Sequence, residues 1–429
     1  ITAGIAIGKA EEEGLDTGEA EDSVEIAQIS FSQGDFEAAQ VAVEQISDAV
    51  DGIITAGIAI GKAEEEGLDT GAAEDSVEIA QISFSQGDFE AAQVAVEQIS
   101  DAVDGIITAG IAVSEAEEEG LDTGAAEESL NTAQASFSQG DFEAAEESAN
   151  EISDTIHSII TAGIAVSEAE EEGLDTGAAE ESLNTAQASF SQGDFEAAEE
   201  SANEISDTIH SIITAGIAVS EAEEEGLDTG AAEESLNTAQ ASFSQGDFEA
   251  AEESANEISD TIHSIITAGI AVSEAEEEGL DTGAAEESLN TAQASFSQGD
   301  FEAAQVSADE ISDATALLLE AIDITEEAEK EGLDVSEATS HLGGAVDAFK
   351  AGKYMTVKVL ATDAIDSIEI QKLKEQKELT VSKVYNEEPL LFSEENKRII
   401  SLIVILVIVG ITYVAIKKRR TRPYRNQKK

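Results

Sequence analysis

Four histidines and a dense population of carboxylates are the side chains of this sequence with the plainest capacity for chemistry. His157, His210 and His263 recur at intervals of 53 residues, and His341 stands apart. A structural or catalytic zinc needs three or four ligands converging on one ion. Copies of one histidine spaced a full repeat apart along an array cannot converge. His157 also falls off the apolar stripe of its helix and is expected to face solvent. The turn EEEGLDTGAAEE gathers carboxylates around two glycines, Gly173 and Gly177. It lacks the alternating D-x-D-x-D-G spacing of a calcium loop. Diffuse condensation of cations is expected there, not a specific site. Paired carboxylates do acid–base work only in a cleft that pushes their pKa values apart, and a thin array of Ala and Ile offers none. The chain has no cysteine, which removes thiol nucleophiles, disulfides and iron–sulfur ligands. No glycine-rich phosphate loop follows a strand, and no N-x-S/T sequon occurs. Catalytic residues, cofactor-binding residues, metal ligands and cofactors are therefore all assigned as none, and the protein is expected not to be an enzyme.

These side chains ride on a long helix. Asp141 to Gly173 contains no proline, and Gly163 is its only internal glycine. Ala145, Ile152, Ile159 and Val166 recur every seven residues, with Ala149, Ile156, Ala162 and Ala169 between them. That is the stripe of a helix packed in a coiled-coil-like way. Asp141 is placed to cap its start and Gly173 to end it. Glu170, Glu171 and Glu172 sit in the last turn against the helix dipole, so they serve charge or solubility.

This helix crosses the seam between two copies of a repeat. ITAG begins at Ile1, Ile54, Ile107, Ile160, Ile213 and Ile266, a period of 53 residues. A seventh, divergent copy keeps Gly332-Leu333-Asp334 in phase. Such self-similarity marks a repeat array. Repeats one and two form one subtype (AIGKAEEEG, DAVDGI) and repeats three to six another (AVSEAEEEG), and duplication explains their near-identity. After each seam helix comes a turn, Gly173 to Thr176, then a short helix to Gln192 with the stripe Ala179, Leu183, Ala186, Phe190. Gly177, followed by Glu180, is read as its N-cap, and Ser336 as the better cap of repeat seven. Phe190 and Phe195 bracket a tight SQGDF corner and are expected to pin the hairpin core. Gly52 and Gly105 fall at mid-helix in the first two seams, which are expected to bend more easily than later ones.

Charge divides the chain. Residues 1–318 hold Lys9 and Lys62 against 76 acidic residues, whereas residues 319–429 hold 18 of each sign. The acidic part repels nucleic acid and anionic lipid, and both are rejected as its partners. Hydrophobic residues make up 41 % of the chain and recur regularly, so helices are expected despite an acidity that often accompanies disorder. The sequence starts at Ile1, inside a seam helix and without an initiator Met or signal peptide, and is read as a fragment of a longer chain.

The fold class expected is all-α: residues 1–371 as seven tandem 53-residue helical repeats, each short helix flanked by two half-lengths of long helix. In plan this resembles the spectrin type of rod at half the repeat length. The corner AQASFSQGDFEAAEESA resembles the helix-turn-helix of tetratricopeptide repeats, although the period is not 34 residues and that family's Trp, Leu-Gly and Pro positions are missing. An α-solenoid is therefore the alternative architecture. Repeat seven, with Lys350, Lys353, Lys358 and Tyr354, reads as a cap or adaptor.

Residues 372–398 lose the pattern and are read as a juxtamembrane linker with a short strand-like piece at Leu379 to Tyr385. Residues 399–416 are apolar without a charge, and 18 residues span ~27 Å as a helix, enough for a transmembrane span. Residues 417–429, KKRRTRPYRNQKK, read as a basic cytoplasmic tail with the repeats outside the cell. Together, repeats such as GLDTGAAEESLNTAQASFSQGDFEAAEESA and the terminal span resemble the acidic, Ala-rich repeat proteins on archaeal cell surfaces, notably those of methanogens. That resemblance implies association with the envelope or a surface layer, and no sorting motif of the PGF kind precedes the span. The expected function is a non-enzymatic, single-pass cell-surface stalk or spacer. The alternative is a repeat-based binding module for a basic protein, a peptide or divalent cations.

Overall fold

The computed structural model describes residues 2–386, and the span expected at 399–416 and the tail at 417–429 lie outside them. The described residues form fifteen α-helices and no strand. They divide into two compact units, residues 1–260 and 261–429.

The first unit opens with α1 (Thr2–Glu12), α2 (Gly18–Ser32), α3 (Phe36–Glu65), α4 (Gly71–Ser85) and α5 (Phe89–Glu118). It continues with α6 (Gly124–Ser138), α7 (Phe142–Glu171), α8 (Gly177–Ser191), α9 (Phe195–Glu224) and α10 (Gly230–Ser244). Then α11 (Phe248–Glu277) holds the division between the units. The second unit has α12 (Gly283–Ser297), α13 (Phe301–Glu331), α14 (Ser336–Lys350) and α15 (Tyr354–Asn386). Long and short helices alternate with the 53-residue period throughout.

Within the first unit the long helices run parallel. Gly52 lies against Val96, and further along the same two helices Lys62 pairs with Asp104. Both contacts join α3 to α5 with residue numbers rising together. The Lys62–Asp104 partners are 42 residues apart in a repeat of 53, so each long helix is advanced by 11 residues on its neighbour. At 1.5 Å per residue that is ~16 Å. The second half of one long helix therefore packs on the first half of the next. The short helix between them runs antiparallel: Gly110 of α5 approaches Leu130 of α6, across the turn that joins those helices.

The apolar stripe of α7 is buried along its whole length, from Ala145 and Ala149 to Val166 and Ala169. A second buried row, Ser153, Thr155, Ser158 and Ala165, exists because the helix has a long neighbour on each side. Thr155 donates its hydroxyl to the carbonyl of Glu151 at 2.7 Å and to that of Phe195 in α9 at 3.3 Å. No buried side-chain polar atom among the described residues lacks a partner.

Both ends of α7 and the C-terminus of α8 are closed locally. At the end of α7 the N–H of Leu174 donates to the carbonyl of Ala169 and that of Gly173 to Glu170, with Gly173 at φ +83°. This is the Schellman arrangement, which needs a left-handed residue. The short helix α8 ends the same way, with Asp194 donating to Ser189 and Gly193 to Phe190. Asp194 also stands as N-cap of α9, so the SQGDF corner contains no spare residue. In α7 the Asp141 carboxylate accepts from the N–H of Ala144, as its position predicts.

Three expectations are corrected. The N-cap of α8 is Thr176, and Gly177 is the first helical residue. The Asp175 carboxylate accepts the N–H of Gly177 at 3.3 Å, an Asx turn that leaves glycine no capping duty. In repeat seven Val335 takes the cap position, and Ser336 donates its N–H and its hydroxyl to Asp334. The strand-like piece expected at Leu379 to Tyr385 is helix, because α15 carries on to Asn386 through a polar stretch that contains no proline. The glycines at the first two seams are packing positions. A Cβ on Gly52 would lie 3.2 Å from Val96 Cγ2, and one on Gly105 would lie 3.1 Å from Asn150 Oδ1. Both helices run through these glycines unbroken, since glycine there lets a parallel neighbour approach.

Among the described residues no helix is long and apolar enough to cross a membrane.

Candidate functional site

His157, His210 and His263 are exposed on their long helices, and His341 is half-buried on α14. No three histidine or acidic side chains among the described residues converge on a position that could hold a metal ion. The carboxylates of the EEEGLDTGAAEE turn divide into two sets. Glu170, Glu171 and Glu172 point into solvent. Asp175 holds the Gly177 N–H, and Glu180 accepts the Thr176 hydroxyl at 3.1 Å. The turn is thus helix-capping machinery ringed by free charge.

The phenylalanine pair of each corner is a packing device. Phe190 and Phe195 meet with ring centroids 5.6 Å apart, and Phe84 and Phe89 at 5.3 Å with an interplanar angle of 64°. Tilted and edge-on approaches of this kind suit the ring quadrupoles. From repeat two onward both rings are buried. Phe31 and Phe36 are more than half exposed, because no earlier corner residues lie over them. In repeat seven Tyr354 takes the second ring's place. Its hydroxyl donates to the carbonyl of Ala284 at 3.1 Å and pairs with the Ser288 hydroxyl at 2.9 Å, and burial raises its pKa.

The seams carry the least uniform electrostatics. Lys9–Asp51 and Lys62–Asp104 bridge successive long helices at 3.0 and 3.1 Å. In the next subtype the same register holds Glu115 opposite His157 and Glu168 opposite His210. Beside them Glu147 and Glu151 of α7 face Glu196 and Glu199 of α9. Partial burial and then these like charges raise the pKa of Glu151, and the same pattern raises Glu204 one repeat later. In the second unit Lys350 pairs with Asp281 at 2.6 Å, Lys358 with Asp313 at 2.8 Å and Lys372 with Glu331 at 3.2 Å.

Concave space is scarce. One open hollow of about 350 Å³ lies over Gly52 between α3 and α5, lined by Asp48, Asp51, Gln93 and Glu97. Another of about 200 Å³ is lined by Glu274, Glu277, Glu278 and Leu319. Neither gathers an apolar wall with converging polar groups, the usual form of a small-molecule site.

Two features escaped the sequence reading. The lysine bridges could have been found by comparing subtypes, since lysine and aspartate change together to glutamate and histidine. Exposed isoleucines also went unnoticed. Ile58, Ile111, Ile164, Ile217 and Ile270 all face solvent at one place in the repeat, and repeats one and two add more on their short helices.

The chain matches no known protein family and no characterised protein.

Proposed function

We propose that this protein is a non-enzymatic, membrane-anchored spacer of the cell surface, a stalk whose repeats lie outside the cell and whose residues 417–429 lie in the cytoplasm. The observation that carries this reading is the seam. One way of joining neighbours, a long helix shared between two repeats and advanced by 11 residues, recurs with the same buried stripe. Repetition of one joint sets distance. Surface charge supports it further: residues 1–318 carry only Lys9 and Lys62 as cations, and like charge keeps neighbouring molecules soluble and apart. A spectrin-like rod with one long helix shared at each joint is the form the spacer takes in this reading. The apolar segment 399–416 and the basic run after it supply the anchor and its orientation. Association with an envelope or surface layer follows from the resemblance to archaeal surface proteins.

The test is made on the full chain in cells. The protein should stay with membranes through an alkaline carbonate wash, and an antibody added to intact cells should reach an epitope on the repeats but reach one on the tail only after permeabilisation. Release by carbonate, or a repeat epitope reached only after permeabilisation, overturns the reading.

A further inference from the structure

We infer that the first two repeats carry a docking strip, built on their short helices and on the first turns of the long helices that follow, for a cationic amphipathic helix of another protein. The two repeat subtypes share one fold, and at three outward positions the first subtype carries a large apolar residue that repeat three lacks. Repeats one and two have Ile26, Ile29 and Val41, and Ile79, Ile82 and Val94. Repeat three has Thr132, Ala135 and Glu147 there. All six apolar side chains are exposed. Their exposure is not an effect of standing first in the array. Ile79 is 57 % exposed and Ile26 62 %, whereas the end effect at the neighbouring corner is large, 0 % for Phe84 against 63 % for Phe31. The fold does not need these residues outside, since repeats three to six are built without the isoleucine pair and repeats three to five without the valine, which returns in repeat six as Val306. Retaining six large apolar groups in water therefore points to a partner.

Charge identifies the partner. Asp22 and Glu25 precede Ile26 and Ile29 by four residues, and Asp75 and Glu78 precede Ile79 and Ile82 likewise. Residues four apart share one face of a helix, so carboxylates and isoleucines alternate along one strip. The strip runs from one repeat to the next: the corner after α4 sits on the first turn of α2, where a Cβ on Gly87 would lie 3.4 Å from Glu19 Cβ. A helix with an apolar face flanked by lysine or arginine satisfies both components, the helix-in-groove mode of recognition. A second copy of this chain would set carboxylates against carboxylates within a net charge of −74. This inference is independent of the spacer reading.

The probe is a fluorescent 18-residue Leu/Lys amphipathic peptide, titrated by anisotropy against the full chain in zwitterionic nanodiscs, with empty discs subtracted. The variant combines Ile26→Thr, Ile29→Ala, Val41→Glu, Ile79→Thr, Ile82→Ala and Val94→Glu. Each change installs the residue of a sister repeat, and circular dichroism checks that helix content is kept. The variant should bind the peptide at least tenfold more weakly. The reciprocal variant Thr132→Ile, Ala135→Ile, Glu147→Val should gain binding. A Ser/Lys peptide of equal charge should not distinguish wild type from the first variant by more than about twofold. Equal affinity of wild type and variant for the Leu/Lys peptide overturns the proposal. So does sedimentation that finds a wild-type dimer dispersed by the variant, which would make the strip a self-association face.

Discussion

Lys62 donates to Asp104 across the seam between α3 and α5 at 3.1 Å, and one repeat later the same register holds Glu115 and His157. The acidic residue changes sides between subtypes. The pair in the first subtype is half exposed on both side chains, so its worth is that of a surface ion pair, about 0.2–1 kcal/mol. Carrying it into the next seam with Glu115→Lys and His157→Asp together should stabilise the chain by that amount. Thermal unfolding checks it, and the gain should shrink in 1 M salt, where the Debye length falls to about 3 Å. Either change alone should give less than half the gain.

Glu151 faces Glu147, Glu196 and Glu199, and its pKa is raised by burial first and by these charges second. A carboxyl whose folded pKa lies above its unfolded value favours folding fully below the unfolded value. That contribution is lost as pH rises through the folded value. Stability of the central repeats should therefore rise as pH falls from 7 toward 5. Glu151→Gln should raise stability at pH 7 by about 0.2–0.5 kcal/mol, the size of a relieved like-charge pair four residues apart. It should change nothing near pH 4. Denaturant midpoints at the two pH values measure the difference.

The corner phenylalanines are equal in sequence and unequal in burial. Phe190→Ala should cost about 3–5 kcal/mol, as expected for a fully buried ring. Phe31→Ala should cost under about 1 kcal/mol, because its ring is largely in water. Equal losses in chemical denaturation would mean that corner one is covered in solution.

Tyr354 ties repeat seven to the short helix α12 through Ala284 and Ser288. Tyr354→Phe keeps the ring and removes both bonds, and should cost about 1–2 kcal/mol. Its raised pKa makes the wild-type contribution present below the unfolded tyrosine value and lost as pH climbs past the folded one. The stability difference between wild type and variant should narrow above pH 10.

Much of this fold is legible in the sequence because each copy repeats the same periodic signal. The stripe from Ala145 to Ala169 predicts the buried face of α7, and Asp141 and Gly173 predict its ends. The second buried row, Ser153, Thr155 and Ser158, is invisible to a hydrophobic pattern because small polar residues fill it. Glycine misleads at Gly177, which looks like a cap but follows one. At Gly52 a further role, seating Val96, is set by a contact outside the local sequence. The candidate strip was missed for the opposite reason: Ile26 and Ile29 look like core until burial is known.

The shared residue at each corner has a consequence for degradation. Asp194 ends one helix and caps the next, and only Leu174, Asp175 and Thr176 separate α7 from the residue that starts α8 once Gly173 has closed it. Proteases nick exposed, extensible loop tips, and these connections have no slack to thread into an active-site cleft. Between Gly18 and Ser244 the folded array offers a protease no ready substrate, so cleavage there must wait for a helix to open.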